Sequence, residues 1–283
     1  MTGPVDQCIS LASYGNEYLK SGQLISFYPE NRSFQFCKRV LFSETRTDID
    51  ASGSNESINT FNPNTWFDFL KKNNCIKIRL AHFTSEKQVL ARDYQLAGFV
   101  GGGGPWLIET VFEKSSDLWA NNWQVTNRHD PERKIWTVQY VRIKQHVPSI
   151  NLQFDPVEIK NDLNETLTAI SAFAEKQKLN FWKDWFDRAI KTLQSQNPEA
   201  LFFRQDMLVQ KNHPLIARQL IYGGGNSFVF GGMGSWNDIS FQEAEIQKEY
   251  EKISAQLYDI MNQAILCGIN YENHEIPGQA SNN

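Results

Sequence analysis

The chain has 283 residues, 41% of them apolar and 21% charged, with a formal net charge of −4. This composition excludes a disordered chain, a collagen, a disulfide scaffold and a membrane bundle, and leaves one large globular domain or two smaller ones. The charge is uneven, +2 over residues 1–154 and −6 over residues 155–283, and neither half has the basic density that a duplex nucleic acid demands.

No basic segment followed by an apolar run opens the chain, and no stretch approaches 18 consecutive apolar residues. A secretory signal and a spanning helix are therefore not expected. Cys8, Cys37, Cys75 and Cys267 lie far apart without CxxC spacing, so four reduced, buried thiols in a cytoplasmic protein are expected.

Residues 4–20 read as a helix, with Val5, Cys8, Ile9, Ala12 and Leu19 near one face and Gly22 as a stop. Residues 24–28 and 34–42 are rich in aromatic and β-branched side chains around Pro29-Glu30-Asn31-Arg32, which predicts a hairpin. Residues 43–64 are a long polar loop, and loops of that length are commonly functional or mobile. A short helix over 65–73 leads into a strand over 75–83, where Ile76, Ile78 and Leu80 alternate with Lys77 and Arg79. Residues 96–146 predict an antiparallel meander, with strands over 106–113, 118–126 and 134–146.

The pattern changes at Asp155. Asp155-Pro156-Val157-Glu158 is an N-cap, a proline at the first helical position and an acid two residues on. Ile159, Leu163, Leu167, Ile170 and Ala174 follow at helical spacing, and a second helix is predicted over 181–193. A third starts from a capping box of Ser240 and Glu243 and closes at Gly268. Its residues Ile246, Tyr250, Ile253, Leu257, Ile260 and Ala264 are spaced 4-3-4-3-4. That seam is expected to pack on the chain's own sheet, or alternatively to make a homodimer through residues 246–264. Residues 270–283 form a polar tail, and no repeat of 20–50 residues is present.

Eleven of the seventeen glycines lie in two stretches, residues 98–104 and 223–234. Such runs allow tight turns between strands, or let a backbone approach a ligand closely. Neither is a P-loop, because Pro105-Trp106 and Ser235-Trp236 stand where Lys and Ser or Thr would be needed. Neither is a dinucleotide fingerprint, because Asn237 occupies the third glycine's place. The candidate ligand-binding residues are Gly101, Gly102, Gly103 and Trp106 from the first run, with Ser235, Trp236, Asn237 and Asp238 after the second. The bland alternative makes Trp236 a core plug and Asn237 and Asp238 turn residues.

Asp238 and Glu109 are the candidate general bases. Glu109 and Glu113 would share a strand face, where simple solvation is the alternative. No Gly-x-Ser-x-Gly elbow occurs, Cys75 and His82 fall on opposite strand faces, and the five histidines form no zinc spacing. No metal and no cofactor is expected. Trp119 and Trp123, with Asn121 and Asn122 between, would stack on sugars or bases if exposed and are core if buried.

The expected fold is α+β: an antiparallel sheet from residues 1–154, with helices of residues 155–269 on one face in a single unit. A strand at 227–230 would join that sheet and bring the glycine runs together. Two functions remain open. The first is a soluble, non-catalytic binding or interaction protein taking a protein partner or a small molecule, with no duplex nucleic acid and no membrane. The alternative is a small-molecule enzyme, such as a hydrolase, with its cleft between the glycine-rich loops.

Overall fold

The computed structural model describes residues 1–44, 60–83, 93–97 and 103–271. Most of the 43–64 loop and of the C-terminal tail therefore lies outside the described residues. Helix α1 (Gly3–Ser21) carries Pro4 in its first turn, where a missing N–H costs nothing, and buries Val5, Cys8, Ile9 and Ala12. Helix α2 (Pro63–Lys72) starts at an Asn62–Thr65 capping box.

Among the described residues six strands form one sheet: β1 (Cys37–Ser43), β2 (Thr60–Phe61), β3 (Lys77–His82), β4 (Trp106–Val111), β5 (Ser116–Val125) and β6 (Trp136–Val147). Their order is β2-β1-β6-β5-β4-β3. Strands β3 to β6 make the expected antiparallel meander, but β1 runs parallel to β6. The sheet is thus mixed rather than antiparallel throughout, within the α+β class. Burial accounts for the pairing. Val40 lies opposite Val138 and Phe42 opposite Tyr140, and the Phe42 ring stacks between Tyr140 at 4.7 Å and Trp66 of α2 at 3.8 Å.

The hairpin expected from residues 24–42 does not form. Residues 24–28 are irregular, and a 3₁₀ turn spans Arg32–Phe34. The aromatic side chains of this segment serve as a plug: Phe27 stacks on Tyr14 and Phe67 and meets Phe34 edge-on. β propensity reflects fit to a half-buried surface, and here a packed loop supplies that surface.

A one-turn helix, α3 (Asp93–Leu96), precedes β4, and helices α4 (Pro156–Lys176), α5 (Asn180–Gln194), α6 (Leu215–Asn226) and α7 (Ala244–Asn270) pack on one another. Asp155 caps α4 as expected, accepting from the Val157 and Glu158 amides at 2.8 and 3.1 Å. These helices do not lie across the sheet. They meet it chiefly where α7 packs on β3, while α1 covers β3 and β4 and α2 packs on β1. Buried residues of both halves nonetheless form one continuous core.

The second glycine run is the largest correction. Gly223, Gly224 and Gly225 are helical, in the last turns of α6, and residues 228–230 are irregular rather than a strand. The glycines let helices touch. A Cβ on Gly224 would meet Ile265 Cγ1 at 2.9 Å and the Met261 carbonyl at 3.1 Å. Gly268, inside α7 rather than beyond it, would press a Cβ against the Ala217 carbonyl at 2.7 Å. Helix α7 also begins later than expected, at Ala244 with Glu243 as N-cap. Its seam is consumed within the chain: Tyr250, Ile253, Leu257, Ile260 and Ala264 are buried. A homodimer through residues 246–264 would need those side chains twice.

Strand β3 is an outer strand, and side chains complete its hydrogen bonding. Asn16 of α1 donates to the Ile78 carbonyl at 2.8 Å and accepts from the Ile78 amide at 2.7 Å. Asn270 of α7 does the same for Leu80, at 2.8 and 2.9 Å. Each carboxamide stands in for a neighbouring peptide unit.

Candidate binding cavity

The candidate residues of the second glycine region are occupied in holding structure. Trp236 is fully buried, edge-on to Phe186 and Trp182, and its Nε1 donates to Ser254 Oγ at 2.8 Å. Asn237 Oδ1 accepts from the Gly231 amide and bonds the Ser235 hydroxyl, and Asp238 Oδ2 accepts from the Gly234 and Ser235 amides. These bonds staple the turn around a 3₁₀ segment, Trp236–Asp238.

Glu109 on β4 is fully buried. Its Oε2 accepts from Arg79 Nε and Nη2 at 3.0 and 2.7 Å, and its Oε1 from the Ile150 amide at 2.9 Å. Both oxygens thus hold β3 and the chain after β6 in place. Glu113 falls beyond the end of β4, so the two carboxylates do not share a strand.

The first glycine region lies against a cavity of about 360 Å³. Gly103, Gly104, Pro105, Trp106 and Leu107 form one wall, and Ala120 to Trp123 of β5 the floor. The N-terminus of α1 from Thr2 to Val5, Trp136 of β6, Ala97, Phe228 and Tyr258 of α7 complete it. Gly103 and Trp106 are thus at the cavity; Gly101 and Gly102 lie outside the described residues. Residues 235 to 238 do not line it, although the two glycine regions are neighbours. Phe230 lies edge-on to Tyr258, and Asn237 Nδ2 reaches the Gln95 carbonyl at 3.4 Å.

The turn into β4 is held in an unusual backbone conformation. Gly103 and Gly104 have φ of 81° and 80°, which an L side chain rarely adopts. Tyr258 donates its hydroxyl to the Gly103 carbonyl, and His82 Nε2 lies 3.0 Å from the same oxygen. Burial lowers the His82 pKa and raises that of Tyr258 to about 12. The Tyr258 phenol is therefore protonated at neutral pH, and among the described residues no other lining residue is acidic, basic or histidine.

Two donors on lining residues have no partner among the described residues. Asn122 Nδ2 and Trp123 Nε1 are buried atoms without a hydrogen bond. Asn121 Nδ2, by contrast, donates to the Trp106 carbonyl at 3.2 Å. Trp123 meets Trp136 edge-on at 5.9 Å, while Trp119 is core, buried against Phe42 and Trp66. The Trp-Ala-Asn-Asn-Trp spacing thus marked the cavity from one end only. Trp136 and Tyr258 had no sequence signal, since their approach depends on the tertiary fold.

No family model matches this chain, and neither a curated protein nor a solved structure matches it. Among the described residues no group of His, Cys, Asp and Glu is placed to hold a metal ion, and no helix is long and apolar enough to cross a membrane. All four cysteines are free and buried.

Proposed function

We propose that this chain is a non-catalytic binding protein whose tryptophan-walled cavity takes an uncharged ligand carrying hydrogen-bond acceptors. The observation that carries the reading is the pairing of an uncharged aromatic lining with two unpartnered donors, Asn122 Nδ2 and Trp123 Nε1. A buried N–H without an acceptor costs about 1–3 kcal/mol, which a ligand oxygen placed there would recover. An ion would enter at a desolvation cost that no charge among the described lining residues offsets. General acid–base work is not supported, because Tyr258 is the one lining group among the described residues that titrates and its pKa is far from neutral. A cytoplasmic setting is part of the proposal, supported by four unpaired thiols.

Native mass spectrometry of the freshly purified chain, beside the denatured chain, reads any retained ligand. For chain purified empty, titration with acetophenone, an uncharged ring bearing one carbonyl, is followed at the tryptophan indole N–H signals. Retained mass or saturable acetophenone binding, weakened by Asn122→Leu or Trp123→Phe, supports the reading. A bare chain whose Trp123 signal ignores acetophenone refutes it.

A further inference from the structure

The cavity sits at a step in the sheet. Leu107 pairs with Ala120, and β4 begins one residue earlier, at Trp106. Strand β5 continues to Val125, supported on its other side by β6 as far as Trp136. Past this step β5 has no strand partner on the β4 side among the described residues, and Gly3 of α1 packs near the Trp123 ring.

The direction of the free main-chain groups follows from one hydrogen bond. The Thr126 amide donates to the Ile135 carbonyl at 2.8 Å, in register with the Val125–Trp136 pair. Main-chain groups alternate along a strand, so Gln124 and Asn122 face β6 as Thr126 does. Trp123 and Val125 turn their N–H and C=O the other way, past the end of β4, where no described residue bonds them. Val125 is also exposed.

Side chains at the step agree. Trp123 and Asn122 are consecutive and project to opposite faces of β5, yet both line the cavity. Residues 120 to 123 of β5 line the cavity in succession, so it runs along the strand where β4 ends. An occupant there lies beside the outward main-chain groups. The two outward main-chain units are two residues apart, about 7 Å along the strand. An extended main chain presents N–H and C=O at that repeat, with side chains alternating to the two faces.

We propose that the natural ligand is an extended, uncharged peptide segment that adds to the open edge of β5 and sets one side chain among Trp106, Trp123 and Trp136. This deepens the binding reading above and rests on it. The edge supplies main-chain pairing, the aromatic walls take an apolar side chain, and Asn122 Nδ2 and Trp123 Nε1 take further carbonyls. The described lining residues carry no charge to match an ionised residue.

The test is a titration of the full ¹⁵N-labelled chain with capped pentapeptides drawn from Gly, Ala, Val, Leu, Phe, Thr and Asn. Acetophenone, which has no strand repeat, is titrated alongside. The expected result is saturable binding of at least one peptide, with shifts at the Trp123 and Val125 amides. N-methylation of that peptide's pairing amides should weaken it about tenfold, as loss of one well-made hydrogen bond does. Val125→Pro deletes an outward N–H that β6 does not use, so this variant should fold, keep acetophenone and lose the peptide.

Acetophenone binding with no peptide binding, or peptide binding indifferent to N-methylation, overturns strand addition and leaves the cavity reading standing. Silence toward both probes overturns both readings. A dimer whose Trp123 and Val125 amides resist exchange before peptide is added assigns the edge to a second copy, and also overturns the proposal.

Discussion

His213 gives the sharpest prediction because its burial opposes protonation in a defined pH window. Its Nε2 lies 3.0 Å from Ser13 Oγ on α1, and that oxygen also accepts the Val209 amide at 2.9 Å. Either neutral tautomer keeps this contact, the imidazole accepting the hydroxyl proton or donating to the hydroxyl oxygen. Burial first, with Arg218 and Lys77 adding repulsion, lowers the His213 pKa from 6.5 to about 4. The folded state thus refuses a proton that the unfolded chain accepts below about 6.5. Stability from this residue is complete above that pH, falls as pH drops, and levels off below the folded value. Between pH 7 and pH 5 the linkage integral amounts to about 2 kcal/mol. Urea unfolding of wild type and His213→Gln over this range isolates the effect from carboxylate titration common to both. The gap between the two should close by about 2 kcal/mol toward pH 5. A gap that stays constant, or an imidazole titrating near 6.5 by NMR in the folded protein, would refute the assignment.

Other outcomes follow from contacts already described. Asn122→Leu removes a buried unpartnered donor and should raise the urea midpoint, by about 1 kcal/mol in stability, while weakening ligand uptake. Gly224→Ala and Gly268→Ala force a methyl into the α6–α7 contact and should each cost about 1–3 kcal/mol, read by thermal or urea unfolding. A thiol reagent should label none of the four cysteines in the folded chain and all four in denaturant, because burial raises Cys8 and Cys75 to about 12 and Cys37 and Cys267 to about 11. Labelling of the folded chain faster than global unfolding would contradict the packing around them.

What could be read along the chain was what local physics decides. The Asp155-Pro156 cap and the strands over 106–146 depend on neighbours a few residues away and form as expected; of the period-two run, Ile78 and Leu80 are buried on β3, while Ile76 lies before it and is exposed. The parallel β1–β6 pair was hidden because Phe42 finds Tyr140 across nearly a hundred residues of intervening chain. Gly223-Gly224-Gly225 reads as a loop on propensity, since glycine weakens an isolated helix by about 1 kcal/mol per residue. Its place in α6 is decided by Leu193, Ile265 and Phe202, which need the room. The cavity was half legible for the same reason. Trp106 and Gly103 were marked by local composition, while Trp136, Phe228 and Tyr258 come from strands and helices whose approach no short window records. Ser235, Trp236, Asn237 and Asp238 looked like a site because a tight turn and a binding loop use the same residues.

The two asparagines on β3 bear on how the chain comes together. Asn16 reaches Ile78 across 62 positions and Asn270 reaches Leu80 across 190. Until both have docked, two adjacent stretches of the same strand present open peptide groups, an invitation to any other chain with a free edge. Closure by both ends makes their arrival a condition for solubility as well as for stability. A chain ending before Asn270 should therefore reveal itself through concentration-dependent aggregation on refolding, with the N-terminal half correctly paired and β3 as its sticky margin.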